Sequence, residues 1–105
     1  MNCKLILAKT NDEEEADKLA EFLLNKKLAL YIDVIETKTY LKQSIGSIEK
    51  QTEYLLLIKT SPELVKEAKK KILHRIPFEK GDLIILDTSG ESTRIDLLLS
   101  KLKSN

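Results

Sequence analysis

Tyr54-Leu55-Leu56-Leu57-Ile58 closes a polar–apolar alternation that begins at Ser47, and Leu83-Ile84-Ile85-Leu86 is a second run apolar at every position. Successive side chains of a strand point to opposite faces of its sheet, so runs of this kind belong to strands covered on both faces. A chain of 105 residues carries helical pattern enough to cover one face of a small sheet. The other face needs cover from elsewhere, and a second copy of the same chain is the cover this pattern predicts. Leu55, Leu57, Leu83 and Ile85 are the residues expected to meet it.

The rest of the chain supplies the elements around those strands. Cys3 to Ala8 reads as a short strand, and Thr10-Asn11-Asp12-Glu13 as a capping box with Thr10 at the cap. Ala16, Leu19, Ala20 and Leu23 then recur at helical spacing, and the acids from Asp12 to Glu15 suit the positive end of that helix. Ala29 to Leu41 reads as a strand whose phase shifts near Ile35, a sign of a bulge. Lys42 to Gly46 makes a loop, and the third strand returns from Ser47 to Thr60. Strands of about 13 residues reach about 43 Å, against a radius of gyration of about 13 Å for a domain of this size. The hairpin must bend sharply or project as an arm.

Ser61-Pro62 is a helix-start signal, with Leu64, Val65, Ala68 and Ile72 turned to the core. Pro77 ends that region, the apolar strand lies between Asp82 and Asp87, and a last helix carries Ile95, Leu98, Leu99 and Leu102. The order strand, helix, strand, strand, helix, strand, helix is that of an α+β, ferredoxin-like β-α-β-β-α-β sandwich with an additional C-terminal helix. One domain spanning 1–105 is expected.

Composition removes several classes of function. Lys and Arg total 18 against 17 acids, so no broad basic field offers itself to nucleic acid. The basic helix from Lys66 to Arg75 carries its charges opposite Leu64, Ala68 and Ile72, as a solvated face does. The strands lack the exposed aromatics on which a sheet stacks RNA bases. No run approaches the ~20 apolar residues of a membrane span. Cys3 is the only cysteine, which suits a reducing compartment, and the expected location is cytoplasmic. With one Cys and one His (His74) a closed zinc site has too few ligands within one chain. No Gly-rich phosphate loop and no nucleophile–base pairing is present, and Lys9-Thr10-Asn11-Asp12 is no acylphosphatase cradle, so no enzyme is expected.

What remains lies at strand ends. Lys59 closes one apolar strand, Asp82 opens the other, and Phe78 and Glu79 come just before it. Brought together at a subunit junction, with Tyr40 as a wall, Lys59, Glu79 and Asp82 make a candidate site for a small ion or solute. The plainer alternative is a structural salt bridge between subunits. No cofactor is implied beyond a weakly held divalent cation on the carboxylates of Glu79 and Asp82, where few oxygen ligands are offered.

Taken in order, Asn11-Asp12-Glu13-Glu14-Glu15-Ala16, Lys27-Leu28-Ala29, Ile48-Glu49 through Lys59-Thr60, and Pro77-Phe78-Glu79 resemble the CutA divalent-cation tolerance family. The resemblance runs from about Leu5 to Leu102 and is strongest from Gly46 to Thr60. It implies a compact trimer of ferredoxin-like subunits, PII-like in architecture and non-enzymatic, with a role in tolerance of copper and other divalent cations. It also places a lysine at Lys59 and an acid at Asp82. This chain departs from the family pattern at several positions. Tyr31 stands where the family usually has a cysteine, Gln43, Ser44 and Ile45 where it has aromatics and a glutamate, Ile76 where it has a histidine, Phe78 where it has a tyrosine, and Gly81-Asp82 where it has proline-glutamate. Soft and nitrogen ligands for copper are therefore missing at the matching positions. Two other readings remain: a PII-like or ACT-like module binding a small effector between subunits, and a trimeric scaffold anchoring a partner protein.

Overall fold

The computed structural model describes residues 2–76 and 81–103. Its elements are β1 (Lys4–Thr10), α1 (Glu13–Asn25), β2 (Tyr31–Lys42), β3 (Ile48–Thr60), α2 (Val65–Arg75), β4 (Gly81–Asp87) and α3 (Thr93–Lys103). The four strands form one sheet in the order β2-β3-β1-β4, every neighbouring pair antiparallel. This is the ferredoxin-like arrangement with a third helix, as the order of sequence signals predicts.

Alternation along the strands divides the sheet cleanly. Ile6 and Ala8 of β1 and Leu56 and Ile58 of β3 turn to one side. There they are sealed by Ala16, Leu19 and Leu23 of α1 and by Ala68 and Ile72 of α2. A second cluster of Cys3, Leu30, Ile95 and Leu99 fastens α3 beside the starts of β1 and β2. Two polar groups caught in this packing are paired: the Thr60 hydroxyl donates to the Leu28 carbonyl at 2.8 Å, and the Leu30 N–H donates to the Lys59 carbonyl at 2.7 Å.

Helix ends follow local hydrogen bonding more than sequence signals. Asp12, and not Thr10, caps α1: its carboxylate accepts the Glu15 N–H at 3.2 Å. Thr10 is the buried last residue of β1, and its hydroxyl accepts the Asp12 N–H at 3.3 Å. The far end of α1 closes with Leu28 N–H on Leu23 O and Lys27 N–H on Leu24 O, which forces Lys27 to φ 57. A lysine there carries a strain of roughly 1–2 kcal/mol that glycine avoids. Ser61-Pro62 opens a turn, closed by Leu64 N–H on the Ser61 carbonyl at 3.1 Å, and α2 follows without a side-chain cap.

Two expectations about the strands need correction. The β2–β3 ladder runs unbroken from Tyr31↔Lys59 to Lys42↔Ile48, so no bulge lies at Ile35. The apparent phase shift is a change in which face of β2 is apolar. In β4 the register sets Leu83 opposite Ala8 and Ile84 opposite Leu7, so Leu83 and Ile85 share the helix-covered side and Ile84 and Leu86 the other. Leu83 packs partly buried against the main core. A strand apolar at four consecutive positions carries no phase of its own, so the sequence does not tell which pair, Leu83 and Ile85 or Ile84 and Leu86, faces the helices. The hairpin, for its part, projects. Beyond the Thr10↔Tyr54 pair β3 has only β2 beside it, and the molecule measures 54 × 27 × 20 Å.

Candidate functional site: the open face of the sheet

Among the described residues neither α1 nor α2 covers the face built from Leu5 and Leu7 of β1, Leu55 and Leu57 of β3, Ile35 of β2, and Ile84 and Leu86 of β4. It is an apolar field whose two ends carry charge.

At one end, level with Leu5 and Leu86, Lys59 reaches Asp33 at 2.5 Å across the hairpin. The Lys59 side chain is only 16% exposed. Its ammonium also lies 4.6 Å from the centroid of the Tyr31 ring, and the Arg94 guanidinium, from the first turn of α3, approaches the same ring at 5.6 Å. The Tyr31 ring is thus approached by one paired and one exposed cation. At the other end Asp82 stands directly opposite Lys9, whose ammonium is 3.6 Å from Glu53.

The expected site residues are therefore not gathered within one chain. Lys59 and Asp82 share the open face but occupy opposite ends of it, four ladder positions apart (Leu86 against Asp82). Tyr40 lies out on the hairpin arm opposite Lys50, whose ammonium is 5.8 Å from its ring. Strand alternation turns Tyr40 to the side opposite Lys59. Glu79 and Phe78 lie outside the described residues. Asp33, Arg94, Lys9 and Glu53 were not singled out from sequence. Counting back from the turn at Ile45-Gly46 pairs Tyr31 with Lys59 and brings Asp33 within reach, whereas nothing local marks Arg94.

Metal chemistry finds little footing in the described residues. No group of three or more His, Cys, Asp or Glu side chains is placed to hold an ion. Cys3 is buried with its sulfur 3.4 Å from the Thr88 hydroxyl, and His74 is exposed near the end of α2. The acids from Asp12 to Glu15 belong to the start of α1, where Asp12 caps and Glu14 pairs with Lys18 at 3.0 Å. Among the described residues no helix is long and apolar enough to cross a membrane.

Comparison with known proteins agrees with this architecture. Residues 4–95 match the model of the CutA1 divalent ion tolerance protein family. The divalent-cation tolerance protein CutA of Archaeoglobus fulgidus is 32% identical over 89 residues, covering 75% of this chain and 86% of that protein. Among solved structures, CutA1 of Ehrlichia chaffeensis superposes with a TM-score of 0.83 at 22% identity, covering 96% of this chain and 94% of that one. The A. fulgidus protein, described as periplasmic, superposes at 0.80 with 21% identity over 95% and 97% of the two chains. A match of this extent, over most of both chains, makes this chain a member of the CutA1 divalent ion tolerance protein family.

Proposed function

We propose that the chain works as a homotrimer in divalent-cation tolerance, without catalysis, in the cytoplasm. One observation supports the reading above the rest: an apolar face of leucines and isoleucines on the side away from α1 and α2, flanked by charged residues at both ends. A contiguous apolar field on a small chain is an association surface. Cyclic closure of three copies would cover it and shelter the exposed edges of β2 and β4. The projecting arm, with Ile45 88% exposed and Tyr40 58% exposed, suits contact with a neighbouring copy. Assembly is also the means by which Lys59, Glu79, Asp82 and Tyr40 would come together. Sedimentation at micromolar concentration is expected to give a single species of three times the chain mass; a stable monomer would sink the reading.

The carboxylates of Asp82 and Glu79 would hold a hard divalent cation weakly, there being few oxygen ligands from each chain. Copper fits less well, because Tyr31 and Ile76 replace the residues the family resemblance assigns to it. Calorimetric titration with Cu²⁺ is expected to show weak or no stoichiometric binding, unchanged in Asp82→Asn with His74→Ala. Tight stoichiometric binding that disappears with His74→Ala or Cys3→Ser would restore the copper reading. A second function is favoured by the Tyr31, Lys59 and Arg94 cluster: binding of a small effector at the edge of the trimer contact, as a regulatory module does.

A further inference from the structure

We infer that the Tyr31 end of the open face is a binding site for a small oxyanion, a phosphate or a dicarboxylate, and not for a metal ion. The inference rests on the effector reading above and names its ligand class.

The local charge balance comes first. Lys59 and Arg94 both approach the Tyr31 ring, at 4.6 and 5.6 Å, and the one carboxylate bonded into the group is Asp33, on Lys59. Among the described residues Arg94 takes part in no ion pair. A cluster with two cations and one anion repels a divalent cation and attracts an oxyanion. Because the two cations approach one ring, they stand no further apart than the two distances combined, close enough for both to attract a single docked anion.

The position of Arg94 also favours an anion. It lies in the first turn of α3, where a positive charge opposes the helix dipole. Helix stability therefore gives no reason for a cation there. The cap is already served by the Ser92 hydroxyl, which accepts the Ile95 N–H at 3.1 Å, so the site is made by side chains and not by the helix end. An oxyanion docked on the guanidinium would take bidentate hydrogen bonds from its planar fork, which suits carboxylate and phosphate alike.

Lys59 is shielded from water. Its side chain is 16% exposed and flanked by the apolar field, so its attraction for an anion is less damped by water than that of a surface lysine. One ammonium proton serves Asp33 and the others remain for a ligand. Tyr31, standing where the family resemblance puts a cysteine, keeps both cations oriented through its π face and exchanges a soft metal ligand for an aromatic wall.

The test is a thermal melt of the purified chain with inorganic phosphate or malonate, against sodium chloride at equal ionic strength. A ligand that binds only the folded state raises the melting temperature saturably. The expected result is a saturable rise of a few degrees with phosphate, malonate or both, and none with chloride. The anion giving the larger rise identifies the source chemistry. Arg94→Gln, at an exposed position, is expected to weaken the apparent affinity at least about tenfold, and Lys59→Met to abolish the response. Lys66→Gln, a surface lysine elsewhere, is expected to leave it unchanged. No saturable rise in the wild type, or a rise that survives Arg94→Gln, overturns the inference. Sedimentation of the same samples reads the trimer separately: all four residues come from one chain, so a monomer that still answers to phosphate sinks the assembly and leaves the site.

Discussion

Leu57→Asp is expected to yield a folded chain that no longer assembles, whereas Leu56→Asp is expected to yield no folded chain at all. The two residues are neighbours in β3 and chemically identical, yet they point to opposite faces. Leu56 is 0% exposed among the side chains of α1 and α2. A carboxylate left there unpaired costs several kcal/mol, a large part of the ~5–15 kcal/mol that holds a domain together. Leu57 lies on the open face, where the single chain leaves it partly exposed and only a neighbouring copy would bury it. The same charge is then tolerated by the chain and refused by the interface. Circular dichroism and sedimentation together decide the matter. A Leu57→Asp protein that remains a trimer with unchanged melting temperature would put Leu57 outside any interface, and a Leu56→Asp protein that melts normally would contradict the fold.

The contrast also marks how much was legible in the sequence. Element order was readable because helical spacing in α1 and α2 and alternation in β3 are strong signals, each tied to one buried face. The existence of a second apolar face followed from the leucine run, and the length of the β2–β3 hairpin required either a sharp bend or the arm that is found. Three things were not readable. Thr10 and Asp12 are both good capping residues two positions apart, and β1 continues to Thr10 because that residue pairs with Tyr54 and Gly81, a long-range fact. The phase of β4 was hidden because every position from Leu83 to Leu86 is apolar. The charged group around Tyr31 was missed because it joins residues distant along the chain: Lys59 and Asp33 meet through hairpin register, while Arg94 arrives only because Ile95 and Leu99 dock α3 beside Leu30. Sequence reasoning placed Lys59 at the end of an apolar strand, which register supports, and grouped it with Asp82 at a subunit junction, whereas within one chain register sets the two at opposite ends of the open face.

That hidden phase sets the remaining large effect. Ile84→Asp is expected to dissociate the proposed trimer while leaving the chain folded, and Leu83→Asp to destabilise the chain itself. Ile84 is 53% exposed and opposite Leu7 on the open face; Leu83 is opposite Ala8 and packs against the core beneath the helices. At Ile84 a charge would be buried only on association, so the cost falls on the subunit equilibrium; each 1.4 kcal/mol there weakens assembly about tenfold. At Leu83 the cost falls on folding, and even the milder Leu83→Ala is expected to remove about 2 kcal/mol, the low end for a leucine truncation, because the residue is only partly buried. Denaturant melts separate the two, since Ile84→Asp should lose the dependence of its midpoint on protein concentration and Leu83→Asp should lower the midpoint at every concentration. The reverse pattern, with Leu83→Asp a folded monomer and Ile84→Asp an unstable chain, would show that β4 is in the other phase and that Leu83 and Ile85 complete the apolar face after all.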